Sequence, residues 1–283
     1  MRLVVALGGN ALSPHGDDGS IGQLRTVLIA TAEPLVDLVV AGHSLVLTHG
    51  NGPQVGRLLL QQELASAHVP PLPLDVCGAL SQGEIGYLLA QAVDNALRSR
   101  GRPEKVLCLI TQVLVDPEDP AFDRPTKKAG SRLVPSPRPL AVVEHDALLS
   151  LVDSGHVLVA GGGGGVPVVE KEGRLSGVFA VIDKDRTAAV LAGIVGADLL
   201  VVLTDVDQVQ IGYGTAEARP VDQLTTSEAR RLLAEGQLGE GTMGPKVEAC
   251  VTFVEQGGRA AIGSLERIAE VIAGTAGTAV VPD

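Results

Sequence analysis

The chain has 283 residues, a net charge of −11 and 45% hydrophobic residues, but aromatic residues make up only 2%. Its length allows a substantial core, built as one large α/β domain or as two smaller lobes. The acidic balance and the scarcity of rings for base stacking argue against nucleic acid as a partner.

Two apolar strands near the N-terminus each lead into a turn of glycine and asparagine. Residues 4–7 run into Gly-Gly-Asn at 8–10, and residues 45–48 run into HGNGPQ at 49–54. Helical periodicity follows both turns. Glycines let a ligand approach the backbone, and a helix start presents free N–H groups to it. At the ends of neighbouring parallel strands, the two turns predict one anion-lined crevice and hence a phosphate-handling enzyme.

Strand-like runs and helical periodicity alternate along the rest of the chain. The helices are predicted at about 24–38, 54–67, 81–100, 183–195 and 245–256, and the buried strands at 105–110, 156–160 and 199–203. Because the apolar residues are almost all aliphatic, they suit a buried parallel sheet. The alternation predicts the α/β class, with a mostly parallel sheet and helices on both of its faces.

Three segments interrupt this alternation. Residues 116–139 carry six prolines and several basic residues, which predicts a short hairpin or flap, and residues 210–226 form a polar connection with a surface hairpin. Residues 161–165 are five glycines without the lysine of a P-loop, so we interpret them as a close-approach turn beside the crevice instead of a phosphate loop. No linker separates independent domains, and two lobes sharing one sheet are expected.

The cysteines and the N-terminus bear on location. Cys77, Cys108 and Cys250 are odd in number and show no C-x-x-C pairing, so they are expected to be reduced thiols. The apolar start is soon broken by glycines, which is not typical of a signal peptide. No run approaches the roughly 20 apolar residues of a membrane span. We therefore expect a cytoplasmic protein with no membrane partner.

Three lysines occur in settings that suit phosphoryl transfer, which needs positioning and positive charge more than covalent help. Lys184 lies between two acids in VIDKD at 181–185, Lys246 follows Pro245 at a predicted helix start, and Lys127 lies on the flap. Each has a plainer interpretation, as a neutralised surface lysine, an exposed first-turn residue and part of a solvated basic flap. A cation at a helix N-terminus opposes the helix dipole, and this cost favours a function for Lys246.

Three other polar residues have structural interpretations that we favour over functional ones. His49 is expected to hydrogen-bond the backbone at a strand end, although it could also bind an anion. Cys77 has no histidine base nearby in sequence and is expected to be a small packing residue. Ser81 is expected to cap the helix that follows it, and not to act as a nucleophile.

Nine short blocks resemble the carbamate kinases of the amino acid kinase family, in the order of that family and across nearly the whole chain. One glycine turn would be weak support, but an ordered set of this size is specific. The blocks are VALGGNAL at 5–12, THGNGPQVG at 48–56, SQG at 81–83, VDP at 115–117, PTK at 125–127, VPSP at 134–137, VIDKD at 181–185, LTDV at 203–206 and MGPKVE at 243–248.

The resemblance implies a three-layer αβα sandwich, the amino acid kinase fold, as a single domain at 1–283. An N-terminal lobe at 1–182, including a flap at 116–139, would take carbamate, and a C-terminal lobe at 183–283 would take the nucleotide. It also implies a homodimer and the reversible reaction of MgATP with carbamate to give carbamoyl phosphate and ADP. In such enzymes the flow often makes ATP from carbamoyl phosphate that arises in arginine or agmatine breakdown.

The resemblance further assigns residue roles on the substrate side. The residues expected to contact the transferred phosphoryl group are Gly8, Gly9 and Asn10, and those expected to hold carbamate or carbamoyl phosphate are Gly50, Asn51 and Gly52. Carbamate is a small anion without an apolar part, so backbone amides suit it.

On the catalytic and nucleotide side, Lys184 and Lys246 are expected to stabilise the charge that moves between donor and acceptor, with Asp185 orienting them. Lys127 from the flap and Asn10 complete the catalytic candidates. The residues expected near the nucleotide, together with Lys246, are Thr204, Asp205 and Met243. No metal cage of protein ligands is visible in the sequence, which suits Mg²⁺ held by nucleotide phosphates and water.

One block departs from the family. The family pattern places a longer insert between the Pro-Thr-Lys block and the VPSP block, whereas here residues 125–130 lead directly into 131–137. A projecting subdomain trimmed to a hairpin is predicted. This leaves open whether Lys127 reaches the reacting group, and a wetter site would weaken electrostatic stabilisation and change substrate choice.

Two alternatives stay open, of which the trimmed flap motivates the first. One is a related kinase for another small carboxylate or a phosphonate. The other is a nucleotide or metabolite sensor without turnover, although a pure binder has little use for both Lys184 and Lys246.

Overall fold

The computed structural model describes residues 1–8, 12, 19–215, 217–238 and 243–283. Strands and helices alternate through these ranges, as the sequence predicts. The helices are α1 (Ile21–Val40), α2 (Gly52–Ala65), α3 (Leu74–Ser99), α4 (His145–Asp153), α5 (Lys184–Ile194), α6 (Thr226–Ala234), α7 (Met243–Glu255) and α8 (Ile268–Ala273). The strands are β1 (Arg2–Leu7), β2 (Ser44–His49), β3 (Val106–Cys108), β4 (Gln112–Val115), β5 (Lys127–Ala129), β6 (Arg132–Val134), β7 (Pro139–Val142), β8 (Val157–Val159), β9 (Val166–Lys171), β10 (Arg174–Gly177), β11 (Leu199–Thr204), β12 (Gln210–Ile211), β13 (Arg219–Pro220), β14 (Gln223–Thr225), β15 (Ala260–Ser264) and β16 (Thr278–Val281).

An eight-stranded sheet forms the centre of the described structure, in the order β14-β16-β15-β11-β1-β2-β8-β3. Six of its strands are mutually parallel, while β14 and β16 run in the opposite direction. β1 and β2 are direct parallel neighbours, so Gly8 and the turn after β2 lie at the same edge of the sheet. Strands from both halves of the chain share this sheet. The division of the lobes at residue 182 stays a prediction.

Helices cover both faces of the sheet and make the three predicted layers. α1, α3 and α8 pack on the face that receives Leu3 and Val201, and α4 to α7 pack on the face that receives Val4 and Val202. Successive strand side chains point to opposite faces, so a strand buried on both faces must be apolar throughout. The predicted αβα sandwich is confirmed.

The flap is a short hairpin of β5 and β6 that turns at Gly130, whose φ of 61° favours glycine. Ala129 and Val134 on the hairpin are buried in a small core with Val55 of α2 and Cys77 of α3. The packing role expected for Cys77 is confirmed, and the trimmed flap is anchored on two helices.

Two smaller β structures surround the central sheet. β4, β7, β9 and β10 form a four-stranded sheet, and β12 with β13 forms the hairpin predicted within the polar connection at 210–226. Among the described helices, none combines the length and the apolar character that crossing a bilayer requires.

Candidate active site

A cavity of about 440 Å³ opens beyond the carboxyl end of β2, where the first turns of α2, α5 and α7 converge. Its walls include the Gly50–Gly52 turn, the hairpin residue Lys127, and Lys184, Asp185 and Lys246. In a parallel α/β sheet the loops after the strands and the helix N-termini meet at one edge. Because helix N-termini carry partial positive charge and free N–H groups, this cavity suits an anion.

Asp185 joins the two lysines of the C-terminal half. Its Oδ1 contacts Lys184 Nζ, and its Oδ2 lies 3.0 Å from Lys246 Nζ. The side chains of Lys184, Asp185 and Lys246 are 12%, 4% and 7% exposed. Charges so deeply buried require partners, and one carboxylate here serves two ammonium groups. The arrangement fixes both lysines at the cavity wall and leaves a net positive charge.

Lys127 also lines this cavity, where it forms an ion pair with Asp183. The Asp183 Oδ2 lies 2.6 Å from Lys127 Nζ, while its Oδ1 caps α5 by accepting the backbone N–H groups of Asp185 and Arg186. Burial alone would raise the pKa of Asp183, but the Lys127 ammonium and these hydrogen bonds hold that pKa below its ordinary value. The trimmed hairpin therefore still brings a third lysine to the cavity.

The ionisation of Lys184 depends on its surroundings. Burial lowers the pKa of its amine; the Asp185 carboxylate opposes that shift, and the Lys246 ammonium adds to it. An anionic ligand would favour the charged amine. Ligand binding and the protonation of Lys184 are therefore coupled.

The five glycines at 161–165 form a turn after β8, and four of them have positive φ values. Thr48 Oγ1 donates to the Gly161 carbonyl at 2.9 Å, and the side-chain amide of Asn51 packs against Gly163 so closely that a Cβ would overlap it. Of the five glycines, Gly163 lines the cavity. The interpretation as a close-approach turn is confirmed.

Comparison with known proteins agrees with this geometry. Residues 1–264 match the model of the amino acid kinase family. The chain belongs to the amino acid kinase family. It is 48% identical to a carbamate kinase of Halobacterium salinarum, over 99% of this chain and 98% of the relative, and 42% identical to a carbamate kinase of Pyrococcus furiosus, over 99% of each. The structure of carbamate kinase from Giardia lamblia bound to AMP-PNP has a TM-score of 0.95 and 35% identity, and covers 100% of this chain and 98% of that one.

The likeness places the chain in the carbamate kinase branch of the family, which confirms the resemblance in the nine blocks. It does not favour the two alternatives, a kinase for another acceptor or a sensor without turnover. The match to the H. salinarum protein runs over 307 positions although this chain has 283 residues, so that relative holds residues with no counterpart here.

The structure confirms the prediction for His49 and contradicts the one for Ser81. His49 is buried and its Nδ1 lies 2.9 Å from the Gly50 carbonyl oxygen, so the expected backbone hydrogen bond is confirmed. Burial lowers the pKa of His49 to about 4, so the ring is neutral at pH 7.

The cap predicted at Ser81 is wrong, because α3 begins at Leu74 and Ser81 lies inside it. The buried face of the helix already starts at Leu74, directly after Pro73, which explains the earlier boundary. The Ser81 hydroxyl instead donates to the Gly78 carbonyl at 2.6 Å and accepts from Asn51 Nδ2 at 2.7 Å. Ser81 thus fixes the amide of a predicted substrate-binding residue.

Other predicted site residues lie elsewhere. Gly8, Thr204 and Asp205 line a second cavity of about 670 Å³, between α1 and the carboxyl end of β11. Met243 begins α7 and packs, half-buried, against the core under that helix. Gly9 and Asn10 lie outside the described residues. The structure therefore gathers the lysines and the second glycine turn at one cavity, and places Gly8, Thr204 and Asp205 around another.

Two elements of the site were missed from the sequence. No role is predicted for Asp183 from the sequence, although an Asp directly before a helix is a recognisable N-cap signal. Glu248 joins α7 to α5 and to the segment just before β7, since Arg186 Nη2 and Arg138 Nη2 lie 2.8 and 2.9 Å from its carboxylate. Its partners lie far away in sequence, so no local pattern could identify it.

The described residues contain no group of three or more His, Cys, Asp or Glu side chains that could hold a metal ion. The carboxylates nearest the lysines, Asp183 and Asp185, are engaged with ammonium groups. These residues do not fit a resident metal centre.

Proposed function

We propose that the chain is a carbamate kinase, which transfers the γ-phosphoryl group of MgATP reversibly to carbamate and gives carbamoyl phosphate and ADP. The observation that carries this proposal is the buried Lys184–Asp185–Lys246 group, which shares one cavity with the Gly50–Gly52 turn. The carbamate kinases at 42% and 48% identity, matched over nearly their whole length, support the acceptor.

In the forward direction a carbamate oxygen bonds to the γ-phosphorus, and the bond from that phosphorus to the bridging oxygen of ADP breaks. The negative charge of the transferred phosphoryl group is the main barrier to the reaction, and positive charges held in place beforehand stabilise it. Lys184 and Lys246 supply that charge, and Asp185 keeps both ammonium groups in position. Lys127 adds a third from the flap.

Carbamate would bind at the Gly50–Gly52 turn, against the N-terminus of α2. A small anion without an apolar part is well matched by backbone N–H groups and a helix dipole. Mg²⁺ is part of the MgATP substrate in this scheme, coordinated by phosphate oxygens and water.

The first glycine turn, Gly8, Gly9 and Asn10, would contact the transferred phosphoryl group, and Thr204 and Asp205 would lie near the nucleotide with Met243. Support for these roles comes from strand order, since β1 lies between β2 and β11 and the carboxyl ends of all three strands share one edge. The lobes would divide at 182 and 183, and the cavity has walls from both sides of that boundary.

The proposed cellular role is the formation of ATP from carbamoyl phosphate that arises in arginine or agmatine breakdown, in the cytoplasm. The three unpaired cysteines, Cys77, Cys108 and Cys250, support a reducing compartment.

We also propose a homodimer through the outer face of α3. Val76, Leu80 and Tyr87 recur at helical spacing and are 36%, 45% and 55% exposed, and exposed Ile110 lies near edge strand β3. A contiguous apolar stripe on a helix is typical of an interface. Light scattering on the purified protein tests it, and a monomer at micromolar concentration would contradict it.

The test of the activity is ATP formation from ADP and carbamoyl phosphate, measured by a coupled assay. Purified folded protein should produce ATP, and production should require Mg²⁺. Folded protein that gives no ATP from carbamoyl phosphate would refute the proposed function.

A further inference from the structure

Gln54 is a polar residue of the main cavity that no role described above uses. It lies in the first turn of α2, on the cavity wall, and is 7% exposed. Its amide oxygen is buried and receives no hydrogen bond from the described residues. A buried carbonyl without a donor is costly, so a group of this kind at a cavity wall indicates a donor on the ligand.

The other side-chain acceptors of the cavity are largely engaged. Asp183 accepts from Lys127 and from the backbone of α5, and Asp185 accepts from Lys184 and Lys246. The amide oxygens of Asn51 and Gln54 remain. The lysines and the helix N-termini are all donors, so they can bind the oxygens of an anion but not an N–H group.

The proposed substrates carry such a donor. Carbamate and carbamoyl phosphate each have an amino group with two N–H bonds beside the carboxyl carbon. We infer that Gln54 determines acceptor specificity by accepting a hydrogen bond from this amino group through its amide oxygen, an inference that rests on the proposed function. Rotation about the last side-chain torsion, which is broad for an amide, can turn the oxygen toward the ligand.

This assignment explains how a site full of donors can recognise more than a carboxylate. Acetate and acetyl phosphate have nearly the same shape, but a methyl group replaces the amino group. With either analogue the oxygen of Gln54 stays unpaired in the complex. A site built to hydrogen-bond a substrate N–H discriminates strongly against an analogue that lacks it.

The experiment compares ATP formation from ADP with carbamoyl phosphate and with acetyl phosphate, as the ratio of the two kcat/KM values. Gln54→Met keeps the length of the side chain but removes the acceptor, and we expect the ratio to fall at least about tenfold. Gln54→Glu keeps an acceptor oxygen; its charge should lower both rates, but the ratio should stay within about threefold of wild type. Gln61→Met, on an exposed position of the same helix, is the matched control and should resemble wild type.

Equal losses for both phosphates in Gln54→Met would overturn the inference, because they would indicate that Gln54 only supports the helix. Thermal unfolding of each variant shows whether it is folded. If Gln54→Met does not fold, the Gln54→Glu ratio decides: a retained ratio supports the inference and a lost ratio overturns it. Wild-type protein that makes no ATP from carbamoyl phosphate would refute the proposed function itself, a result distinct from any change in the ratio.

Discussion

Replacing Asp185 by Asn tests the central charge arrangement. The change removes the carboxylate that faces both Lys184 and Lys246 but keeps its size. Two ammonium groups then remain at the same buried place without their counter-ion. Because Asp185 opposes the lowering of the Lys184 pKa, its loss should lower that pKa further.

The magnitude follows from burial. Asp185 is 4% exposed and its partners are nearly buried, so water screens the pair little. Removing one partner of such a buried pair costs about 3–5 kcal/mol of folding free energy. Misplacing charge-stabilising groups should lower kcat by about 10²–10³.

The pH dependence has a definite sign. A lysine whose pKa is lowered by folding binds fewer protons in the native state than in the unfolded state. It therefore lowers the free energy of unfolding at low pH, and this destabilisation becomes smaller as the pH rises towards the lysine's unfolded-state pKa. In Asp185→Asn the destabilisation should therefore be largest at low and neutral pH. Activity needs the charged amine, so its alkaline limb should move to lower pH.

The assays are ATP formation from carbamoyl phosphate across the pH range and chemical unfolding at several pH values. Asp146→Asn is the control, because Asp146 is 93% exposed on α4 and should behave as wild type. If Asp185→Asn kept kcat within about threefold and left the alkaline limb in place, the hypothesis that Asp185 preorganises the charges of Lys184 and Lys246 would be wrong.

Three further changes test the walls of the cavity by steady-state kinetics. Lys127→Ala should lower kcat by about 10²–10³ if the hairpin lysine stabilises the transferred group, and an unchanged kcat would show that it serves only Asp183. Ser81→Ala removes the acceptor of the Asn51 amide and should raise KM for carbamoyl phosphate several-fold at similar stability; an unchanged KM would contradict its positioning role. Gly163→Ala places a Cβ against Asn51 at a φ of 63°, and thermal unfolding should show a loss of about 1–3 kcal/mol, whereas wild-type stability would contradict the close approach.

The sequence was sufficient for the sheet and for the edge at which the chemistry lies. Apolar strands followed by helices imply parallel order, and parallel order brings the residues after strands and at helix starts to one edge. Lys184 and Lys246 both stand at such helix starts, which is why their meeting could be expected. Asp185 lies directly after Lys184, and its contacts with both lysines agree with the orienting role that the family resemblance implies.

Contacts between segments that are distant in sequence could not be predicted in the same way. The partner of Ser81 is Asn51, thirty residues away and on another element, so a local rule assigned Ser81 to a cap. Gln54 belongs to the HGNGPQ block, but nothing in the sequence gives its side chain a role of its own. Its open amide oxygen is visible only after α2 and the cavity wall are packed.

The hairpin shows why a shortened flap can keep its lysine. Lys127 is placed by two local devices: a small core that seats Ala129 and Val134 on α2 and α3, and Asp183, which the α5 N-terminus holds in place. On the flap, these two contacts involve only residues of the β5–β6 hairpin. The tip residue Gly130 packs against the backbone of Gly56 on α2. An insert that follows Gly130 and leaves it in place would extend outward from β5 and β6 without changing either contact. The length of the flap and the position of its lysine are therefore separable, so trimming should alter solvent access to the cavity more than it alters the charge there.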